Sequence, residues 1–88
     1  LDLNEKVWRL KMKEMIENIV KSIVDSPEDV TVNIAESENT KIYEISVGEG
    51  DIGKVIGKRG KNVGAIRTLV SAVSAKEGGK RSILELIE

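Results

Sequence analysis

Two runs that read as β-strands, residues 41–47 and 82–88, are separated by 34 residues. A hairpin joins antiparallel neighbours, whereas a parallel return needs a crossover of a dozen residues or more, usually helical. The intervening stretch has room for that crossover and the right pattern. Asp51–Ile56 reads as a short helical turn and Gly57–Gly60 as a break. Residues 61–77 read as a second helix, with Val63, Ile66, Leu69, Val70 and Val73 as its buried stripe. Gly78-Gly79 supplies a C-cap. The third strand therefore returns parallel to the second, which commits the chain to a sheet with helices packed on it.

The upstream half fixes the rest. Residues 4–25 read as a helix, because Trp8, Met12, Met15, Ile16, Ile19, Val20, Ile23 and Val24 recur at three- and four-residue spacing. Asn4 is its expected cap, and Ser26-Pro27 stops it, since the residue before proline is pushed out of the α region. Leu1–Lys11 has two open readings: part of the natural helix, or an extension ahead of a start at Met12. Residues 30–36 alternate, with Val30, Val32 and Ile34 on one face. Ser37-Glu38-Asn39 is a turn, and residues 41–47 alternate again through Tyr43, Ile45 and Val47, so the two runs form a hairpin. Ile83, Leu84, Leu86 and Ile87 make the third strand nearly continuous, as suits one that is covered and paired. The element order α-β-β-α-α-β describes an α+β two-layer sandwich, a three-stranded mixed sheet with three helices on one face. At 88 residues one core is possible and a second is not, so residues 1–88 form a single domain.

Composition narrows the chemistry. The chain has no Cys and no His, which excludes a disulfide framework, a thiolate metal site and an imidazole base. No apolar run approaches the roughly 20 residues needed to span a bilayer. The acids Glu28, Asp29, Glu36 and Glu38 read as a solvated face, without the paired-carboxylate spacing of a hydrolase. No enzymatic activity, cofactor or metal is expected. The net charge of −1 conceals a polarised chain. Residues 26–50 carry a net −5, whereas residues 51–67 carry a net +4 through Lys54, Lys58, Arg59, Lys61 and Arg67 against Asp51. Ions screen such charges over about 8 Å, so a local basic footprint matters more to a phosphate ligand than the global sum.

Five of the eight glycines fall between Gly48 and Gly60, and three templates compete for them. Gly48-Glu-Gly50-Asp-Ile-Gly53 matches the dinucleotide fingerprint, but the chain has no room for a doubly wound sheet. Glu49 and Asp51 would also face the pyrophosphate. Gly48 to Lys54 fits most of a phosphate-binding loop, but Val55 stands where a hydroxyl must hold Mg²⁺. The third template is Ile56-Gly57-Lys58-Arg59-Gly60-Lys-Asn-Val63-Gly-Ala-Ile66. Here two glycines bracket two bases between helices, and the turn presents N–H groups at the start of the next helix. That arrangement suits grip on a nucleic-acid backbone rather than bond-making.

The third pattern, with the element order and the length, resembles a type II KH domain. In its compact single-domain form the chain is similar to the small bacterial KhpA family of RNA-binding proteins. The resemblance covers the leading helix, Asp25–Val30, Gly53–Gly60, Ala65–Leu69 and the closing strand. It implies a loop that clamps the backbone of about four unpaired nucleotides. Carried over by position, Gly57, Lys58, Arg59 and Gly60 are the clamp, and Ile52, Gly53 and Ile56 line a groove between the helices and the neighbouring strand. Val63 supports that groove from the core, and Lys54, Lys61 and Arg67 are electrostatic candidates. The resemblance also implies a cytoplasmic RNA chaperone or post-transcriptional regulator that binds no membrane. It further implies self-association, a larger Jag/KhpB-type KH partner, and a role in cell shape and cell-wall homeostasis. The alternative is a dimerisation module with a KH fold and little RNA binding, in which Gly64, Ala65 and Ala72 let helices of two copies approach. Gly64 costs roughly 1 kcal/mol relative to Ala inside a helix, so close packing against another element or subunit is expected there.

Overall fold

The computed structural model describes residues 3–78 and 80–87. The elements run α1 (Leu3–Lys21), β1 (Thr31–Glu36), β2 (Thr40–Ser46), α2 (Ile52–Ile56), α3 (Lys61–Glu77) and β3 (Arg81–Ile87). Short 3₁₀ turns occupy Pro27–Asp29 and Lys58–Gly60. The sheet order is β1-β2-β3. β1 pairs antiparallel with β2, with Ile34 opposite Tyr43, and β3 pairs parallel with β2, with Leu84 beside Tyr43. The crossover of α2 and α3 thus returns the chain in parallel, and β2 is the central strand.

One face of the sheet carries the core. Val32, Tyr43, Ile45 and Leu84 project inward from the strands. Met12, Ile16 and Val20 come from α1, Val55 from α2, and Val63, Ile66 and Val70 from α3. Polar Asn33, Glu44 and Glu85 share one row across the other face. At the end of this inner face Lys41 is buried and lies 3.4 Å from Glu77 at the end of α3, with Glu36 opposite it on β1.

Several expectations need correction. α1 ends at Lys21, not at residue 25. The Ser22 hydroxyl donates to the Asn18 carbonyl at 2.7 Å, and Ile23 N–H turns to the Val20 carbonyl, which tightens and ends the last turn. Asn4 lies inside α1 rather than ahead of it. Trp8 is half-buried, with Lys11 Nζ 5.7 Å from its ring centre, because the buried stripe of α1 starts only at Met12. Leu69 sits at the margin of the α3 stripe and is 47% exposed. Gly78 does cap α3, with φ 77° and its N–H bonded to the Ser74 carbonyl; Gly79 and Glu88 lie outside the described residues.

Candidate nucleic-acid interface

The segment joining α2 to α3 is built from positive-φ residues. Gly57 closes α2 with φ 74° and ψ 172°, a region open essentially to glycine alone. Its N–H donates to the Gly53 carbonyl, and its own carbonyl accepts from the Gly60 N–H at 3.1 Å. Arg59 (φ 56°) and Gly60 (φ 72°) follow in the left-handed region. Arg59 is the only such non-glycine among the described residues. This sharp reversal leaves Lys58 and Arg59 exposed at the tip and sets α3 running directly from it. The first turn of a helix has N–H groups without intrahelical partners, and its dipole favours an anion, so the two cationic side chains and the helix start act on the same space.

Asn62 holds the reversal in place. Its side-chain amide donates to the Lys54 carbonyl at 2.8 Å, tying the start of α3 to α2. The same side chain lies beneath Gly57, where an added Cβ would sit 2.6 Å from the Asn62 Cγ. No sequence template flagged Asn62, because its role depends on two helices meeting.

The five-residue α2 is tied from its other end. Asp51, just ahead of it, is buried and accepts from the backbone N–H groups of Asp25 at 3.2 Å and Ser26 at 3.0 Å. Lys54 Nζ reaches Asp25 at 3.1 Å and Asp51 at 3.8 Å. The hydrogen bond to the Asp25 carboxylate holds the Lys54 ammonium above its usual range. Lys54 is thus paired within the protein, whereas for Lys58, Arg59 and Lys61, exposed like it, no acidic partner is found among the described residues. Gly48 passes so close to Asp29 that a Cβ would lie 2.8 Å from its Oδ2, which packs the β2–α2 loop onto the α1–β1 turn.

The remaining expected positions divide between two places. On α2, Gly53 is exposed with open space around it, Ile52 is half-buried, and Ile56 packs partly against the core. Val63 is buried. Arg67 projects from α3 into a cleft of about 500 Å³ between α3 and the edge strand β3. Ser71, Ser74, Lys80, Arg81 and Ser82 also line this cleft; Ile52, Gly53 and Ile56 do not. Gly60, Gly64, Arg67 and Ser71 fall at three- and four-residue spacing, so one stripe of α3 leads from the loop to the cleft. A Cβ at Gly64 would meet nothing within 4 Å, so no packing among the described residues requires glycine there. Lys80 and Arg81 were not picked out from the sequence, because their nearness to Arg67 arises only when β3 aligns beside α3.

Among the described residues no group of three or more acids is placed to hold a metal ion, and no helix is long and apolar enough to cross a membrane. The profile described as "KhpA/KhpB, KH domain" matches residues 13–86. The RNA-binding protein KhpA of Chlamydia trachomatis is 48% identical over 77 residues, which are 88% of this chain and 97% of that protein. The proteins of the same name from Clostridium perfringens and Listeria monocytogenes are 50% identical over 76 residues and 48% over 77, and each is covered along 100% of its length. With the profile spanning the loop, both of its helices, β1, β2 and nearly all of β3, the chain belongs to the KhpA/KhpB family of KH domains.

Proposed function

We propose that the protein is a non-enzymatic binder of single-stranded RNA, gripping the backbone of about four nucleotides at Gly57–Gly60. The observation that carries this reading is the exposed, conformationally fixed pair Lys58 and Arg59 at the head of α3. The relatives' name supports the class of ligand. Ile52 and Gly53, with Ile56 behind them, provide an aliphatic wall on α2, and Lys61 and Arg67 extend the positive charge along α3. Lys54 pairs with Asp25 and Asp51 where α2 begins, and because its pair with Asp25 is exposed and weak, the ammonium can also turn to a phosphate. Titration of a labelled single-stranded RNA with wild type and with Lys58→Asp/Arg59→Asp tests the assignment. Binding is lost in the double variant; equal binding by both proteins overturns it.

A second reading concerns assembly, and Leu69 favours it. Leu69 is exposed on α3 between Ala65 and Ala72, small residues that leave the helix surface open to close approach. A second copy, or a larger KH protein, covers this face and adds a second RNA grip by linkage. Sedimentation of wild type and Leu69→Lys decides it: a dimer that the variant splits supports the reading, and a monomeric wild type at high concentration rejects it.

A further inference from the structure

Lys80 differs from the other bases of the cleft. It lies where the chain leaves α3 for β3, and its Nζ is 3.1 Å from Glu36 Oε2 on β1. The other oxygen of that carboxylate, Oε1, takes Arg9 Nε from α1 at 3.1 Å. The hydrogen bond from Lys80, with the charge of Arg9 and of Lys41 behind it, holds the Glu36 carboxyl below its usual range. Glu36 thus has several cations around it, whereas Lys80 has this one carboxylate among the described residues. Lys41 is not free to move, being buried against Glu77. Arg9 has no part in the cleft, but Lys80 lines it and is more exposed than Arg9, 37% against 26% at the side chain. If Lys80 departed, Glu36 would keep Arg9 and would not be left uncompensated.

We propose that Lys80 is an exchangeable phosphate contact, and that Glu36 sets how strongly the cleft holds RNA by competing for it. The proposal rests on the RNA-binding reading above. On binding, the Lys80 ammonium leaves Glu36 for a phosphate that follows the nucleotides at the loop and lies near Arg67 and Arg81. An ion pair this exposed is weak, so the exchange is nearly balanced and a single carboxylate can tune it. Without RNA, the pairing cancels one positive charge at the cleft and reduces indiscriminate attraction of anions.

The test is a titration of a labelled, unstructured 12-nucleotide RNA with wild type, Glu36→Gln, Lys80→Gln and the double variant, each across a range of salt. Glu38→Gln controls for removal of an acid elsewhere on the surface. Glu36→Gln is expected to bind about threefold more tightly at moderate salt, the loss of a competing surface pair. The gain is expected to disappear in the double variant and to be absent in Glu38→Gln. Lys80→Gln is expected to reduce the salt slope of wild type by about 0.7, one phosphate contact on a single strand. The proposal is overturned if Glu36→Gln binds no more tightly than wild type, if its gain survives in the double variant, or if Lys80→Gln leaves the slope unchanged. Wild type that binds no RNA rejects the underlying reading, and the exchange with it. Wild type that binds while Glu36→Gln changes nothing rejects the exchange alone.

Discussion

Gly57 is fixed by two independent constraints, its backbone angles and the Asn62 side chain beneath it. Gly57→Ala is therefore expected to cost about 1–3 kcal/mol, from strain at a special backbone conformation, and to abolish RNA binding. Chemical denaturation and RNA titration read the two effects separately. Asn62→Ala removes the donor to the Lys54 carbonyl while leaving every cation in place. It is expected to weaken RNA binding about fivefold, roughly one hydrogen bond of preorganisation, with the salt slope unchanged. A reduced slope would show that Asn62 acts on charge and not on loop shape. At this scale the sequence was legible where a residue carries its meaning alone. Two glycines around two bases announce a turn, and Lys58 and Arg59 stand exposed at its tip. Asn62, Asp51 and Lys80 act through partners 8, 26 and 44 positions away, and no periodicity encodes such pairings.

The elements themselves were legible to a greater degree, because alternation and helical spacing report burial directly. β1, β2 and β3 fall within a residue or so of their apolar runs, and α3 spans residues 61–77 as read. The end of α1 was missed because Ile23 and Val24 continue the apolar pattern after the backbone has left the helix to meet Asp51. Burial alone cannot separate a helix from a well-packed turn. Lys41 shows the same limit from the other side: its place in the β2 alternation reads as inward, yet its charge argues outward. The structure resolves this with Glu77 at 3.4 Å. Glu77→Ala leaves a buried ammonium without its carboxylate and is expected to destabilise the fold by about 3 kcal/mol, visible as a drop in thermal midpoint of 10 °C or more. Tyr43 stands beside Lys41 on this face, and burial first, then the charge of Glu77, raises its phenol above the usual value of 10.0. The folded phenol stays neutral while the unfolded one ionises, so its contribution is complete below the unfolded value and is lost as pH rises from there through the raised folded value. In an alkaline titration the ultraviolet phenolate band is expected to appear together with loss of far-ultraviolet circular dichroism; ionisation well before unfolding would place Tyr43 in solvent.

For the molecule as a whole, the charge polarity is a better guide than its sum. With two or three phosphates neutralised at the loop and along α3, the logarithm of the RNA association constant is expected to fall by roughly 1.5–2 per decade of salt. A slope near zero would deny a backbone grip. The core contacts of α1 begin at Met12, so removal of residues 1–11 is expected to preserve the fold, with a small loss from Arg9 and Glu36. Circular dichroism of the shortened chain checks this. The molecule also joins its most distant-looking parts through one carboxylate. A helix of five residues has no stability of its own in water, and α2 owes its order to the tertiary structure at both ends. Through Asp51, the turn at residues 25 and 26 is part of that support. It looks by position like a surface connector, and connectors usually open on their own. Here their two amide protons are locked to a buried acceptor, so they should persist in heavy water about as long as those of central strand β2. The loop that follows α2 would then open only when the whole domain does.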